Sequence, residues 1–265
     1  MTLIEAIVLG IIQGLTEFLP VSSSGHLELG SAVLGITTKD NLLFSILVHA
    51  ATALSTILVF RKEIASIIKD LFQFKWNEST QYVVKIILSM IPVGIVGVFF
   101  EDQVNALFGG QVLLVSSMLI VTGALLLISN YTKHRSGSVT FGKSIIIGIA
   151  QAVAIMPGIS RSGATITTAL FLGIDRSKAA RFSFLMVLPP ILGAALLKTI
   201  DLLKQDASVS TDISSVVLIG GFLAAFLAGL VACNWMIRLV RKGKLIYFAY
   251  YCFAIALIGI ISSQF

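Results

Sequence analysis

Ten apolar segments divide this sequence, and six of them are long enough to cross a bilayer. A spanning helix needs roughly 20 apolar residues, within a range of about 17–25. The runs at about 42–60, 83–100, 112–130, 182–199, 214–237 and 245–263 meet that length. Four further helical pieces, at about 3–19, 27–37, 144–156 and 164–174, are too short or too interrupted. These pieces come in pairs, on either side of Pro20–His26 and of Pro157–Gly163. Non-helical backbone at membrane depth is tolerated only where it is buried in protein or faces a water-filled cavity. The expected fold is therefore an all-α polytopic membrane protein with six transmembrane helices and two re-entrant helical hairpins. Composition agrees: 57% of the 265 residues are hydrophobic and 12% are charged, against about 25% charged in soluble domains.

Charge placement sets the topology and removes one function class. A net charge of +6 would suit a nucleic-acid binder. The lysines and arginines, however, collect in short loops between apolar runs, as the positive-inside rule expects, and not in one basic footprint. No nucleic-acid partner is expected. Fifteen of the 19 basic residues lie in four loops: Arg61, Lys62, Lys69, Lys75 and Lys85; Lys133, Arg135 and Lys143; Arg176, Lys178 and Arg181; Arg238, Arg241, Lys242 and Lys244. With these loops cytoplasmic, both termini fall outside, together with Lys39, Lys198, Lys204, Asp40, Glu101, Asp102, Asp201, Asp206 and Asp212. The first hairpin then inserts from the outside and the second from the cytoplasm. The N-terminal piece carries Glu5, Gln13 and Glu17 without a basic leader, so it reads as structure and not as a signal peptide. Cys233 and Cys252 sit in apolar runs without metal or redox spacing and read as small buried hydrophobes.

Opposite insertion implies an inverted-topology repeat within one membrane domain, 1–265. Residues 1–130 form the first repeat, with its hairpin near 3–37, and 140–265 the second, with its hairpin near 144–174. Gly10 and Gln13 recur as Gly148 and Gln151, and Phe44, Ser45 and Leu47 as Phe182, Ser183 and Leu185, a shift of 138 residues. Such repeats place their site near the midplane, at the repeat interface, facing half-helix ends.

Ionisable groups at membrane depth are expensive and are functional candidates by default. Gln13 and Glu17 are four residues apart and share a helix face beside the Pro20 break. Glu17 suits a general base or a ligand for a hard cation such as Mg²⁺ or Ca²⁺, with Gln13 adding a neutral oxygen. In Ser22-Ser23-Ser24-Gly25-His26 the histidine stands within reach of the serines, a recurrent nucleophile pairing. Ser24 also suits a cap for the helix that follows. Pro157-Gly158-Ile159-Ser160-Arg161-Ser162-Gly163-Ala164-Thr165 opens a helix with glycines and hydroxyls, and its amides form an anion site. Arg161 matches phosphate oxygens with paired hydrogen bonds. His49, inside an apolar run, is secondary, and His134 reads as solvated; Glu5 and Glu28 flank the first hairpin with no spacing that assigns them.

At these residues the chain resembles the undecaprenyl-diphosphate phosphatase family of the bacitracin-resistance type. The likeness lies in an (E/Q)xxxE segment at Gln13–Glu17, an SSxGH segment at Ser22–His26 and PGxSRSxxT at Pro157–Thr165, and it extends over nearly the whole chain. It implies an integral hydrolase of the bacterial inner membrane that removes the terminal phosphate of undecaprenyl diphosphate and recycles the lipid carrier for cell-wall synthesis. It also implies Mg²⁺ or Ca²⁺ dependence, a site facing the extracytoplasmic side and a homodimer. By position, Glu17 and Gln13 match the acidic metal pair, Ser23 the nucleophile and His26 the catalytic histidine. Ser160, Arg161, Ser162 and Thr165 match the diphosphate-binding loop, and Gln13, Ser24 and Gly158 are expected to join them in binding the substrate. The chain departs from the family in two places. Gln13 replaces a glutamate common in members, and His49-Ala50-Ala51-Thr52 has alanine where members often show glycine.

The residues leave open whether Ser23 attacks phosphorus with His26 as base or His26 positions a water. The rival class is a polyprenyl-lipid flippase or transporter, since broken helices in inverted repeats are frequent there. The concentration of Glu17, Ser23, His26 and Arg161 favours hydrolysis. The acid-phosphatase-like lipid phosphatases share SGH and SR segments, but their upstream KxxxxxxRP element is missing here.

Overall fold

The computed structural model describes residues 1–33, 38–107, 111–132, 135–204 and 213–263. Lys133, His134, Asp206, Asp212 and the end of the 27–37 piece lie outside the described residues, as do the side chains of Lys39, Asp40, Glu101, Lys198, Asp201 and Lys204. The described chain folds into helices: α1 (Leu3–Thr16), α2 (Ser23–Val33), α3 (Thr38–Val59), α4 (Arg61–Leu71), α5 (Glu78–Phe99), α6 (Glu101–Asn105) and α7 (Val112–Ser129). After the loop come α8 (Phe141–Val153), α9 (Arg161–Phe171), α10 (Arg176–Met186), α11 (Leu188–Lys204), α12 (Ser215–Arg241) and α13 (Ile246–Ser262).

Among the described residues, four helical stretches are long and apolar enough to cross a membrane, at Glu78–Phe99, Val112–Ser129, Arg176–Leu197 and Ser215–Arg241. Leu43–Val59 and Arg61–Leu71 meet at a 77° bend and make a fifth candidate if the two count as one broken span. At 17 residues, Ile246–Ser262 is a shorter apolar helix, as are α1 and α8. Large apolar side chains such as Val98, Leu227, Val231 and Ile258 point outward on these helices. Contiguous exposed apolar surface of that kind marks contact with lipid or partners. The protein is an all-helical, multi-pass membrane protein.

Several boundaries differ from those read off hydropathy. The tips were expected to be non-helical through His26 and Gly163, yet α2 starts at Ser23 and α9 at Arg161. Capping explains both. Ser160 accepts from the Gly163 amide at 3.1 Å, and Ser22, in the left-handed region at φ 69°, turns the chain directly into α2. The basic segment after residue 60 was expected to be a loop, but α4 forms there as an amphipathic helix without buried residues. At the other end of the first hairpin, Thr2 and Glu5 form a reciprocal capping box, which gives Glu5 a local structural role.

Packing puts the basic segments at one end. Glu63 of α4 is ion-paired with Arg181 of α10. Trp76 stacks on Phe141 with ring centroids 6.4 Å apart. Gly137 bridges to Ile174, and the Arg176 guanidinium lies against Gly243. From the far end, α1 runs along α12, with Leu3 beside Gly220 and Gly14 beside Ala225 and Gly229. A Cβ at Gly14 would strike the α12 backbone, so this crossing uses small residues on both helices. By contrast α8 starts at the basic end and packs along α5. Helices α7 and α13 pair with each other and lie beside the two proline breaks.

Candidate active site

Both breaks end in contact. Ser162 Oγ donates to the Leu19 carbonyl at 3.1 Å, tying the second tip to the first. Thr122 of α7 donates to the Gly158 carbonyl at 2.9 Å and accepts from the Ser160 amide at 3.0 Å. Gly158 adopts φ +93°, and a Cβ there would run into the α7 backbone at Val115. That close approach requires glycine. From α13, the Cys252 thiol reaches the Pro20 carbonyl at 3.7 Å.

At this junction Arg161, the first residue of α9, forms an ion pair with Glu17, just past α1. The Glu17 side chain is 4% exposed and that of Arg161 is 28% exposed, so one partner is buried and the other reaches open space. The second Glu17 oxygen accepts from Ser23 Oγ at 2.6 Å and from Gln13 Nε2 at 2.9 Å. Gln13 Oε1 is left buried without a partner among the described residues. His49 lies beside the same carboxylate, with Nε2 3.9 Å from Glu17 Oε2. Its Nδ1 bonds the Ser45 carbonyl at 2.8 Å, an acceptor, so Nδ1 carries the hydrogen. A cavity of about 190 Å³ opens here, lined by Glu17, Ser22, Ser23, Ser24, His49, Gln151, Ser160, Arg161 and Ser162 among others.

Not every expected site residue lies on this cavity. His26 was expected to pair with Ser23, but its Nδ1 bonds the Ser22 carbonyl and its Nε2 the Tyr251 hydroxyl, each at 2.9 Å. The rings of His26 and Tyr251 stack with centroids 5.6 Å apart. With both ring nitrogens engaged elsewhere, His26 braces the strained Ser22 turn against α13, and Ser23 finds Glu17 instead. A serine held left-handed costs about 1–3 kcal/mol, and such strain persists only when its surroundings fix it. Thr165 turns away into α9 and α10, bonded to the Arg161 carbonyl at 2.8 Å and to Ser183 Oγ at 2.6 Å. Gly158 shapes the turn, and Gln13 reaches the site through Glu17. His49 and Gln151 are the cavity residues that the sequence did not single out for a role. The signal for Gln151 was its place opposite Gln13 in the 138-residue shift; nothing local marks His49.

Among the described residues no three His, Cys, Asp or Glu side chains cluster as a cage for a metal ion. Magnesium is commonly held by one or two carboxylates plus substrate phosphates. Glu17 with the unpartnered Gln13 Oε1 fits that mode.

A model of the family described as bacitracin resistance protein BacA matches residues 6–258. The chain belongs to the BacA family. Relatives named undecaprenyl-diphosphatase cover it end to end. One from Bacteroides thetaiotaomicron is 55% identical over 265 residues, 100% of each chain. Another, from Christiangramia forsetii, is 56% identical over 264 residues, 98% of each chain. A more distant one from Methanobrevibacter smithii is 38% identical over 281 residues, covering 99% of this chain and 98% of its own. All three PGxSRSxxT, SSxGH and (E/Q)xxxE segments fall inside the part of the chain that the BacA model matches.

Proposed function

We propose that this BacA-family protein hydrolyses undecaprenyl diphosphate to undecaprenyl phosphate and orthophosphate, recycling the lipid carrier for cell-wall synthesis and so conferring bacitracin resistance. One observation carries the reading: the Glu17 carboxylate joins Arg161 of one tip to Ser23 of the other at the wall of a shared cavity. The names and end-to-end similarity of the relatives support the substrate.

In the resting protein Arg161 neutralises Glu17. An incoming diphosphate offers the planar guanidinium a multiply charged partner with adjacent phosphoryl oxygens, and Arg161 turns to it with paired hydrogen bonds. The N-terminal end of α9, where Ser160 caps the Gly163 amide, adds the positive end of the helix dipole. Glu17, released from Arg161, retains the Ser23 hydroxyl. Ser23 Oγ attacks the terminal phosphorus and its proton passes to Glu17. The bond to the bridging oxygen breaks, and undecaprenyl phosphate leaves. Water then bonds phosphorus, the Ser23 Oγ–phosphorus bond breaks, Glu17 returns its proton to Oγ, and orthophosphate leaves carrying both water hydrogens. Arg161 holds the charge that shifts among the phosphoryl oxygens throughout. A divalent cation, Mg²⁺ or Ca²⁺, would be held by Glu17 and Gln13 and would supply further charge neutralisation on the diphosphate.

The finer architecture belongs to the same proposal: six spans and an inverted repeat, 1–130 and 140–265. Element starts support it, since α1, α2 and α3 begin at residues 3, 23 and 38, and α8, α9 and α10 at 141, 161 and 176. Packing is reciprocal in the same sense, α1 on α12 and α8 on α5, with α1 and α8 starting from opposite ends. Placing the basic end in the cytoplasm of the bacterial inner membrane follows the positive-inside rule. The polyprenyl tail then lies among membrane lipid, the site faces the extracytoplasmic side, and the family resemblance adds a homodimer.

Purified protein given undecaprenyl diphosphate should release one orthophosphate per lipid and no pyrophosphate. Protein that is folded yet releases no phosphate, while moving the lipid between leaflets of a liposome, would establish the flippase reading instead.

A further inference from the structure

Gln151 is the least explained residue of the cavity. It lies in α8, is 2% exposed, and lines the same hollow as Ser23 and Arg161. Neither its Nε2 nor its Oε1 has a hydrogen-bond partner among the described residues, although both are buried. A buried amide without partners forfeits its solvation, so natural cores rarely keep one idle.

Comparison with Gln13 shows why it is idle. Gln13 satisfies its Nε2 four residues along its own helix, on Glu17. The residue four along from Gln151 is Ile155, which has no polar atom to offer and itself lines the cavity. The two glutamines hold corresponding places in the 138-residue shift. The first has been given to the carboxylate, and the second is left facing whatever enters. The wall of the same cavity carries the Arg161 guanidinium, paired with Glu17, beside the Ser160 and Ser162 hydroxyls, and the guanidinium suits an anion with several oxygens.

We infer that Gln151 is a substrate-binding residue: its Nε2 donates to a phosphoryl oxygen of the diphosphate headgroup, and its Oε1 accepts from a water that accompanies the headgroup. The inference rests on the hydrolase reading above and adds to it a residue on the second hairpin, outside the PGxSRSxxT segment.

Wild type, Gln151→Leu and Gln151→Glu would be compared as purified proteins in detergent. Steady-state hydrolysis of undecaprenyl diphosphate gives KM and kcat; thermal unfolding is followed with and without inorganic pyrophosphate. A hydrogen bond to a charged oxygen is worth about tenfold to a hundredfold in affinity. Gln151→Leu should raise KM by about that factor with a smaller change in kcat. Its melting temperature without ligand should equal or exceed that of wild type, because an unpartnered amide has been removed. Gln151→Glu should lose more, its carboxylate repelling the phosphates. Pyrophosphate should raise the melting temperature of wild type and not that of either variant. The inference is overturned by a wild-type KM in Gln151→Leu, or by full activity in Gln151→Glu. It is equally overturned by a lowered melting temperature together with an intact pyrophosphate response, which would make Gln151 a packing residue. If pyrophosphate stabilises wild type alone and no protein hydrolyses the lipid, the headgroup contact stands and the hydrolase reading fails.

Discussion

Glu17→Gln is expected to lower kcat for undecaprenyl diphosphate about a thousandfold while leaving a folded, membrane-inserted protein. Glu17 is the group to which Ser23 donates, at 2.6 Å, and proton transfer to a positioned side chain contributes about 10²–10⁴ in rate. Glutamine preserves shape and can still accept from Arg161 with its oxygen. Its new NH₂ would face Gln13, whose unpartnered Oε1 can accept it after an amide flip. The variant thus removes charge and basicity with little loss of hydrogen bonding. Glu17→Ala is the harsher change, since it strands the Arg161 guanidinium beside a void, and breaking a buried pair costs about 3–5 kcal/mol. Orthophosphate release and melting temperature, measured on the same samples, separate the two effects. Turnover within tenfold of wild type in Glu17→Gln would remove Glu17 from the chemistry.

Arg161→Lys is expected to cost about a hundredfold or more in kcat/KM, and Arg161→Ala about a thousandfold. Removing one preorganised donor from a developing charge costs about 10²–10³ in other enzymes. Lysine keeps the charge that Glu17 needs, yet it is a point charge without the planar fork that grips two phosphoryl oxygens. Arg161→Lys should therefore melt close to wild type, whereas Arg161→Ala leaves the nearly buried Glu17 without its counter-charge and melts lower. Equal activity of lysine and arginine would mean that paired recognition is not used here.

The proline breaks and the residue types around them were readable in the sequence because backbone chemistry is local. Pro20 and Pro157 end helices, and glycine and hydroxyls open the next ones. The meeting of the tips was readable only indirectly, through membrane physics that forbids exposed breaks. The partner of each side chain was not readable. Ser23 and His26 stand three residues apart, which suggested a pair, but the ring follows Tyr251 on α13, 225 residues away. Thr165 belongs to PGxSRSxxT, yet Ser183 draws it inward. His49 reaches Glu17 from α3, where Ser45, Thr52, Ser55 and Thr56 make it one polar residue among several. The amphipathic α4 was hidden because its charges matched a cytoplasmic loop equally well.

The most direct test of two tips gripping one headgroup is a double-mutant cycle on kcat/KM with Glu17→Gln, Arg161→Lys and the double variant. Groups that act as a unit are strongly non-additive. The expected result is a double variant no more than about tenfold below the weaker single variant. Losses that multiply in full would mean that Glu17 and Arg161 act at separate places.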